Sequence, residues 1–172
     1  MATATKTKLH ITPDLGLDEK TVDQVADILK TTLADEFTLR LKLRKYHWNV
    51  TGHQFRGLHE LFEEQYTALA EFIDEVAERL RSYGKLSPGT MQEFLDMTRL
   101  EENPGEIPSV DDMVTNLVQD HESLVRYFRE DIKTAEEELE DVGLADFLSG
   151  QLQVHQEMAW MLRSFLQTDG LS

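Results

Sequence analysis

The chain has 172 residues, with 33 acidic against 17 basic, a net charge of −16 and no cysteine. That length fits one compact domain, and the missing thiol excludes disulfide scaffolds, thiolate metal sites, iron–sulfur clusters and cysteine nucleophiles. An acidic surplus of this size argues against tight nucleic-acid binding by the folded body and suits the handling of cations.

An apolar fraction of 40% is that of a folded protein, not of a disordered one. No run approaches the ~18–20 apolar residues of a membrane span. The stretch Met1 to His10 lacks the apolar core of a signal peptide, so a soluble, cytoplasmic protein is expected. Residues 1–17 read as a Thr-rich arm, flexible in part, with Lys6 and Lys8 as its basic feature and Pro13 near its end. The folded domain is expected over 18–168, followed by a short tail at 169–172.

Along the domain, apolar residues recur at steps of three and four, the spacing of helices. The first segment, about Asp18–Asn49, carries Val22, Val25, Leu29, Leu33 and Phe37 on one face. The second, about Phe55–Tyr83, carries Leu58, Phe62, Tyr66, Leu69, Ile73, Val76, Leu80 and Tyr83. A short helix is expected around Thr90–Thr98, between the breaks at Gly84, Pro88, Gly89 and Pro104, Gly105, Pro108. The third long segment, about Ser109–Asp141, opens on Ser109 as an N-cap and is expected to stop at Gly143. The fourth, about Leu144–Gln167, is apolar over a wide arc that includes Trp160. No strand pattern is present. The fold class is all-α: a four-helix bundle with a short helix in the long connection between helices two and three.

The second segment carries four residues suited to metal ligation: His59, Glu63, Asp74 and Glu78. At ~100° per residue they fall on an arc rotated about 120° from the apolar stripe, so they point away from their own bundle. Glu63 and Asp74 are separated by ~16 Å of helix, and His59 and Glu78 by ~28 Å, at 1.5 Å per residue. Metal–ligand bonds of about 2 Å cannot span either gap. The two pairs are, however, symmetric about the point between Ala68 and Leu69. The same helix of a second subunit, laid antiparallel across a two-fold axis there, would bring His59 and Glu63 beside Asp74 and Glu78. His47, joined to His59 by a short connection through Gly52, can reach the same side. Imidazole and carboxylate without thiolate suit iron and also admit zinc or manganese. On spacing alone, the same residues also read as two ordinary i,i+4 pairs on a solvated helix face. His121 and His155 fall on apolar arcs and read as hydrogen-bonded core or interface histidines, while His53 reads as an exposed loop residue and His10 belongs to the arm.

The stretch Lys42–Tyr66, with His47-Trp48-Asn49-Val50, Gly52, Phe55, Leu58-His59-Glu60, Phe62 and Tyr66, resembles the first signature of the Dps family, the mini-ferritins called DNA-binding proteins from starved cells. Asp74-x-x-x-Glu78-Arg79 resembles the second signature, and the likeness in helix order covers about 18–168. The resemblance implies a ferritin-like bundle assembled from two-fold dimers into a dodecamer. It implies an iron-storing, iron-detoxifying ferroxidase that oxidises Fe(II) to Fe(III) with hydrogen peroxide at intersubunit sites, under oxidative stress, and so protects DNA. The implied ligands, which are also the catalytic residues, are His47, His59 and Glu63 from one subunit and Asp74 and Glu78 from its partner. Trp48 resembles a tryptophan near the site that intercepts stray oxidising equivalents. Glu63 stands where the family most often has Asp. Asp141 and Asp146 are implied candidates for acidic inlet pores. The family name raises direct DNA binding, and with it nucleoid association, through lysine-rich tails; this arm offers Lys6 and Lys8 only. A zinc- or manganese-binding shell with little ferroxidase activity is the other alternative. Unlike bundles with an internal di-iron core, no histidine from His47 onward follows a glutamate by three residues: those positions hold Arg44, Val50, Arg56, Val118 and Leu152.

Overall fold

The computed structural model describes residues 13–167. Most of the arm, with Lys6, Lys8 and His10, and the tail at 169–172 lie outside the described residues. Five helices follow in order: α1 (Glu19–Asn49), α2 (Phe55–Ser82), α3 (Met91–Met97), α4 (Val110–Glu137) and α5 (Val142–Leu166). No strand occurs among the described residues. No described helix is long and apolar enough to cross a membrane.

Four of the five helix starts carry a side-chain cap; α2, which follows Gln54, has none. Asp18 accepts from Thr21 N at 2.7 Å and Ser109 from Asp112 N at 3.2 Å. Thr90 and Glu93 form a reciprocal capping box that lets the short α3 stand. The helix stop after α2 is Gly84, with φ +74°; a Cβ there would lie 2.7 Å from Pro13 Cδ, so glycine is required twice over.

α4 is shorter than the acidic run Glu136–Asp141 suggests. It ends at Glu137, because Leu139 turns into the core and Glu140 takes φ +52°. Asp141 N then donates to Ala135 O at 2.9 Å, closing a left-handed turn. Gly143 is not the stop that the sequence suggests; it lies in the first turn of α5, whose N-cap is Asp141.

Cross-helix contacts fix the topology. Arg40 and His47 on α1 meet Tyr66 and His59 on α2, so that pair is antiparallel. Lys42 and Tyr46 meet Asp120 and Asn116, making α4 antiparallel to α1. Gln65 and Arg79 meet Met158 and Gly143, making α5 antiparallel to α2. Helices α2 and α4 therefore run the same way, and the segment 83–109 must cross the bundle. That crossover is pinned by Asp35, fully buried on α1. Its carboxylate accepts from Arg99 N at 2.6 Å, Arg99 Nε at 2.8 Å and Thr98 Oγ1 at 3.0 Å. Arg99 also reaches Asp131 and lies over the Tyr127 ring, while Phe94 stacks on Phe37.

The core is built from the apolar stripes, with Phe62, Phe128, Leu29, Leu58, Leu69, Leu80, Leu117 and Leu124 fully buried. Each contributes ~1.5–3 kcal/mol by leaving water. Trp160 departs from the expected core arc and is 59% exposed. The same interior holds a polar seam. His155 Nε2 lies 2.8 Å from Glu36 Oε1, and His155 Nδ1 lies 2.8 Å from His121 Nδ1, with all three residues inaccessible to solvent. The seam agrees with the reading of both histidines as hydrogen-bonded core residues.

Candidate metal centre

His47 sits in the last turn of α1, which stops where Val50 turns extended and buries its side chain. Gly52, at φ +89°, then reverses the chain into α2. That turn brings His47 and His59 face to face, with ring centroids 3.7 Å apart and planes within 19°. Each ring uses Nδ1 on the other residue's backbone: His47 Nδ1 on His59 O at 2.8 Å, and His59 Nδ1 on His47 O at 2.9 Å. A carbonyl only accepts, so both Nδ1 atoms carry the proton, and in the neutral rings each Nε2 presents a lone pair. A carbonyl holding the second ring nitrogen is the usual way a protein orients a metal-ligating imidazole.

Other side chains brace the pair. Phe55 stacks on His59 with centroids 4.9 Å apart. The Tyr66 and His47 rings meet in a T shape with centroids 5.3 Å apart, and Tyr66 donates its hydroxyl to Glu63 Oε1 at 3.1 Å. Burial and the Glu63 carboxylate hold the Tyr66 phenol above its usual value, so it acts as a donor. Arg44 lies 5.5 Å from the Tyr66 ring centroid and 5.1 Å from that of Trp48, which is 62% exposed.

Glu63, one turn after His59, is exposed. So are Asp74 and Glu78, one turn apart on the same helix. The chain thus presents His47 paired with His59, Glu63 one turn further along α2, and Asp74 with Glu78 three turns beyond Glu63. Among the described residues no three potential ligands converge on one point within the chain. The core seam is no exception. The two imidazoles meet nitrogen to nitrogen, with centroids 5.1 Å apart, an extended hydrogen bond and not a chelate.

Two other expectations need comment. Asp141 is 9% exposed and already engaged: Oδ1 caps Leu144 N at 2.9 Å, and Oδ2 accepts from Tyr83 OH at 2.6 Å. It is a helix cap and not a solvent-facing pore carboxylate, whereas Asp146 is exposed. Burial and the Asp141 carboxylate push the Tyr83 phenol up to about 12, keeping it a donor. His53 is exposed in the connection between α1 and α2. The sequence reading passed over Tyr66 as a site residue; its place three residues after Glu63, the helical contact spacing, was the available signal.

A family model described as a ferritin-like domain matches residues 26–171. A low temperature-induced protein of Nostoc is 46% identical over 154 residues, covering 90% of this chain and 86% of the relative. DNA protection during starvation protein 2 of Bacillus anthracis is 37% identical over 144 residues, covering 83% of this chain and 97% of that one. The solved structure of Dps from Thermosynechococcus elongatus superposes with a TM-score of 0.82 at 32% identity, covering 88% of this chain and 96% of the other. With the crossed bundle, the paired histidines and these similarities in agreement, the chain belongs to the Dps family of ferritin-like proteins.

Proposed function

We propose that this protein oxidises Fe(II) with hydrogen peroxide at sites shared by two subunits and stores the ferric product inside a twelve-subunit shell. The observation that carries the reading is the mutual Nδ1-to-carbonyl pairing of His47 and His59, which leaves each Nε2 a lone pair, with Glu63 one turn on from His59 along α2. The bond from His59 Nδ1 also satisfies a carbonyl in the last turn of α1, while the two Nε2 atoms remain for a cation. Asp74 and Glu78, related to His59 and Glu63 by symmetry about Ala68–Leu69, would arrive from the partner across a two-fold axis. The exposed Ala68 at the axis lets two α2 helices approach closely.

Iron is the substrate here. Two ferrous ions each give one electron to one peroxide, the O–O bond breaks, and two protons complete two waters. No one-electron fragment of peroxide is then released. Asp74 and Glu78 supply the negative charge that favours Fe(III) as it forms, and the imidazoles complete the sites while leaving positions open for the oxidant. Trp48, next to His47 in sequence and exposed under Arg44, would give up an electron when a single oxidising equivalent escapes. A net charge of −16 per chain draws Fe(II) toward the shell. The same charge favours protection of DNA by removing iron and peroxide over protection by binding it.

The test is anaerobic Fe(II) loading of the assembled protein followed by peroxide, comparing wild type with Asp74→Ala/Glu78→Ala. Rapid ferric absorbance with about one peroxide consumed per two Fe(II), lost in the double variant while assembly persists, supports the reading. Equal rates in both would make these carboxylates structural. Tight zinc or manganese retention with slow iron oxidation in wild type would instead favour a metal-binding shell with little ferroxidase activity.

A further inference from the structure

The shared site above has five candidate ligands, and one of them, Glu63, is a solvent-exposed side chain with three free torsions. A metal centre needs its ligands held before the ion arrives, since ordering a long carboxylate side chain during binding weakens the site. His47 and His59 are held by their carbonyl bonds. What holds Glu63 is Tyr66, whose hydroxyl donates to Oε1 at 3.1 Å.

Tyr66 is itself well fixed. Arg40 Nε donates to its backbone oxygen at 3.1 Å, the Arg44 guanidinium lies 5.5 Å from its ring centroid, and its ring stands at 85° to that of His47. It therefore touches both kinds of ligand on its own subunit, the imidazole through its ring and the carboxylate through its hydroxyl. With Oε1 accepting from the phenol, Oε2 is the oxygen better able to meet an ion, and the phenol disfavours binding through both oxygens.

We infer that Tyr66 is a positioning residue of the centre, holding Glu63 as a ligand through one oxygen and so setting how tightly the His-bearing half of the site takes its ion. This inference rests on the shared-site reading above. It concerns Tyr66 acting through Glu63, not Tyr66 as a ligand.

Cobalt(II), which needs no oxidant and reports through visible absorption, is the probe. Wild type, Tyr66→Phe, Glu63→Ala and the double variant are titrated as assembled protein, with circular dichroism and sedimentation checking fold and assembly. We expect Tyr66→Phe to weaken cobalt binding about tenfold, the scale of one hydrogen bond to a charged group. Glu63→Ala should weaken it at least as much, and Tyr66→Phe should add nothing once Glu63 is absent. The visible band of Tyr66→Phe should also lose intensity, because a carboxylate released to bind through both oxygens raises the coordination number. Cobalt binding by Tyr66→Phe equal to wild type, with Glu63→Ala weakened, would overturn the role of Tyr66 and leave the centre standing. An equal effect of Tyr66→Phe with and without Glu63 would overturn it too, by showing that the ring acts on His47. Full cobalt binding in Glu63→Ala would remove Glu63 from the centre and take both readings of that residue with it.

Discussion

At the scale of single residues, the buried line Glu36–His155–His121 has the clearest physical consequence. His121 is fully buried, and burial, with the neighbouring His155 as the lesser cause, holds its imidazole well below the usual value. The unfolded chain takes up a proton on this group near pH 6.5, whereas the folded chain resists it. Stability is therefore intact above about pH 6.5 and declines as pH falls below it, by at most ~1.4 kcal/mol per pH unit from this one group. His155 and Glu36 are the titratable groups strung along the same line, and the Glu36 carboxylate is the only partner in it that can offset an added charge. Urea midpoints of wild type should fall between pH 7.5 and 5.5, above the ordinary carboxylate range. His121→Leu should flatten that slope. An equally steep slope in the variant would mean that other groups carry the acid sensitivity.

At the scale of elements, the crossover and the helix ends decide whether the bundle closes. Asp35 gathers two donors from Arg99 and one from Thr98 while wholly buried, so Asp35→Ala leaves Arg99 Nε and the Arg99 backbone N–H without their acceptor, with Asp131 as the guanidinium's one remaining carboxylate. A cost of ~3–5 kcal/mol is expected in chemical denaturation, together with faster amide exchange at Arg99. Two glycines make a matched pair. Gly84→Ala adds a Cβ against Pro13 at a positive φ and should destabilise by ~1–2 kcal/mol. Gly150 lies inside α5 with open space around its Cβ position, so Gly150→Ala should stabilise by ~0.5–1 kcal/mol. Thermal melts of the two variants should therefore move in opposite directions.

For the whole molecule, the surface asks for partners. Trp48, Phe55, Trp160 and Val142 expose between 45% and 77% of their surface on a chain that is otherwise heavily charged. Apolar side chains scattered singly are ordinary on a protein surface and mark an interface only where they join into one patch. Ala68→Glu, at an exposed position on α2 beside the proposed axis, would set two like charges against each other without touching the core. Sedimentation should then show smaller species with unchanged helix content; an intact shell would move the axis elsewhere. With −16 on every copy, association should also tighten as salt rises to physiological strength, while retention of DNA in a gel shift should be lost over the same range.

The helices were legible because their information is local: a step of 3.6 residues, Ser109 and Thr90 before their helices, and glycines where φ turns positive are all written within a few neighbours. The departure of the candidate ligands from the apolar stripe was legible for the same reason, since angle around a helix follows from count alone. What the chain could not show by itself depends on residues far apart in sequence meeting through packing. The tautomers of His47 and His59 follow from a turn that sets each ring on the other's carbonyl. Asp35 and Glu36 look like two more surface acids until Arg99 from the crossover and His155 from α5 arrive to bury them. Asp141 reads as a candidate inlet-pore acid, but Tyr83 and the start of α5 use both of its oxygens. Sequence determined the helices and which residue types were offered to a metal; tertiary structure decided which polar groups were spent on each other and which were left facing out, because that division is settled only by the partners that packing brings within about 3 Å.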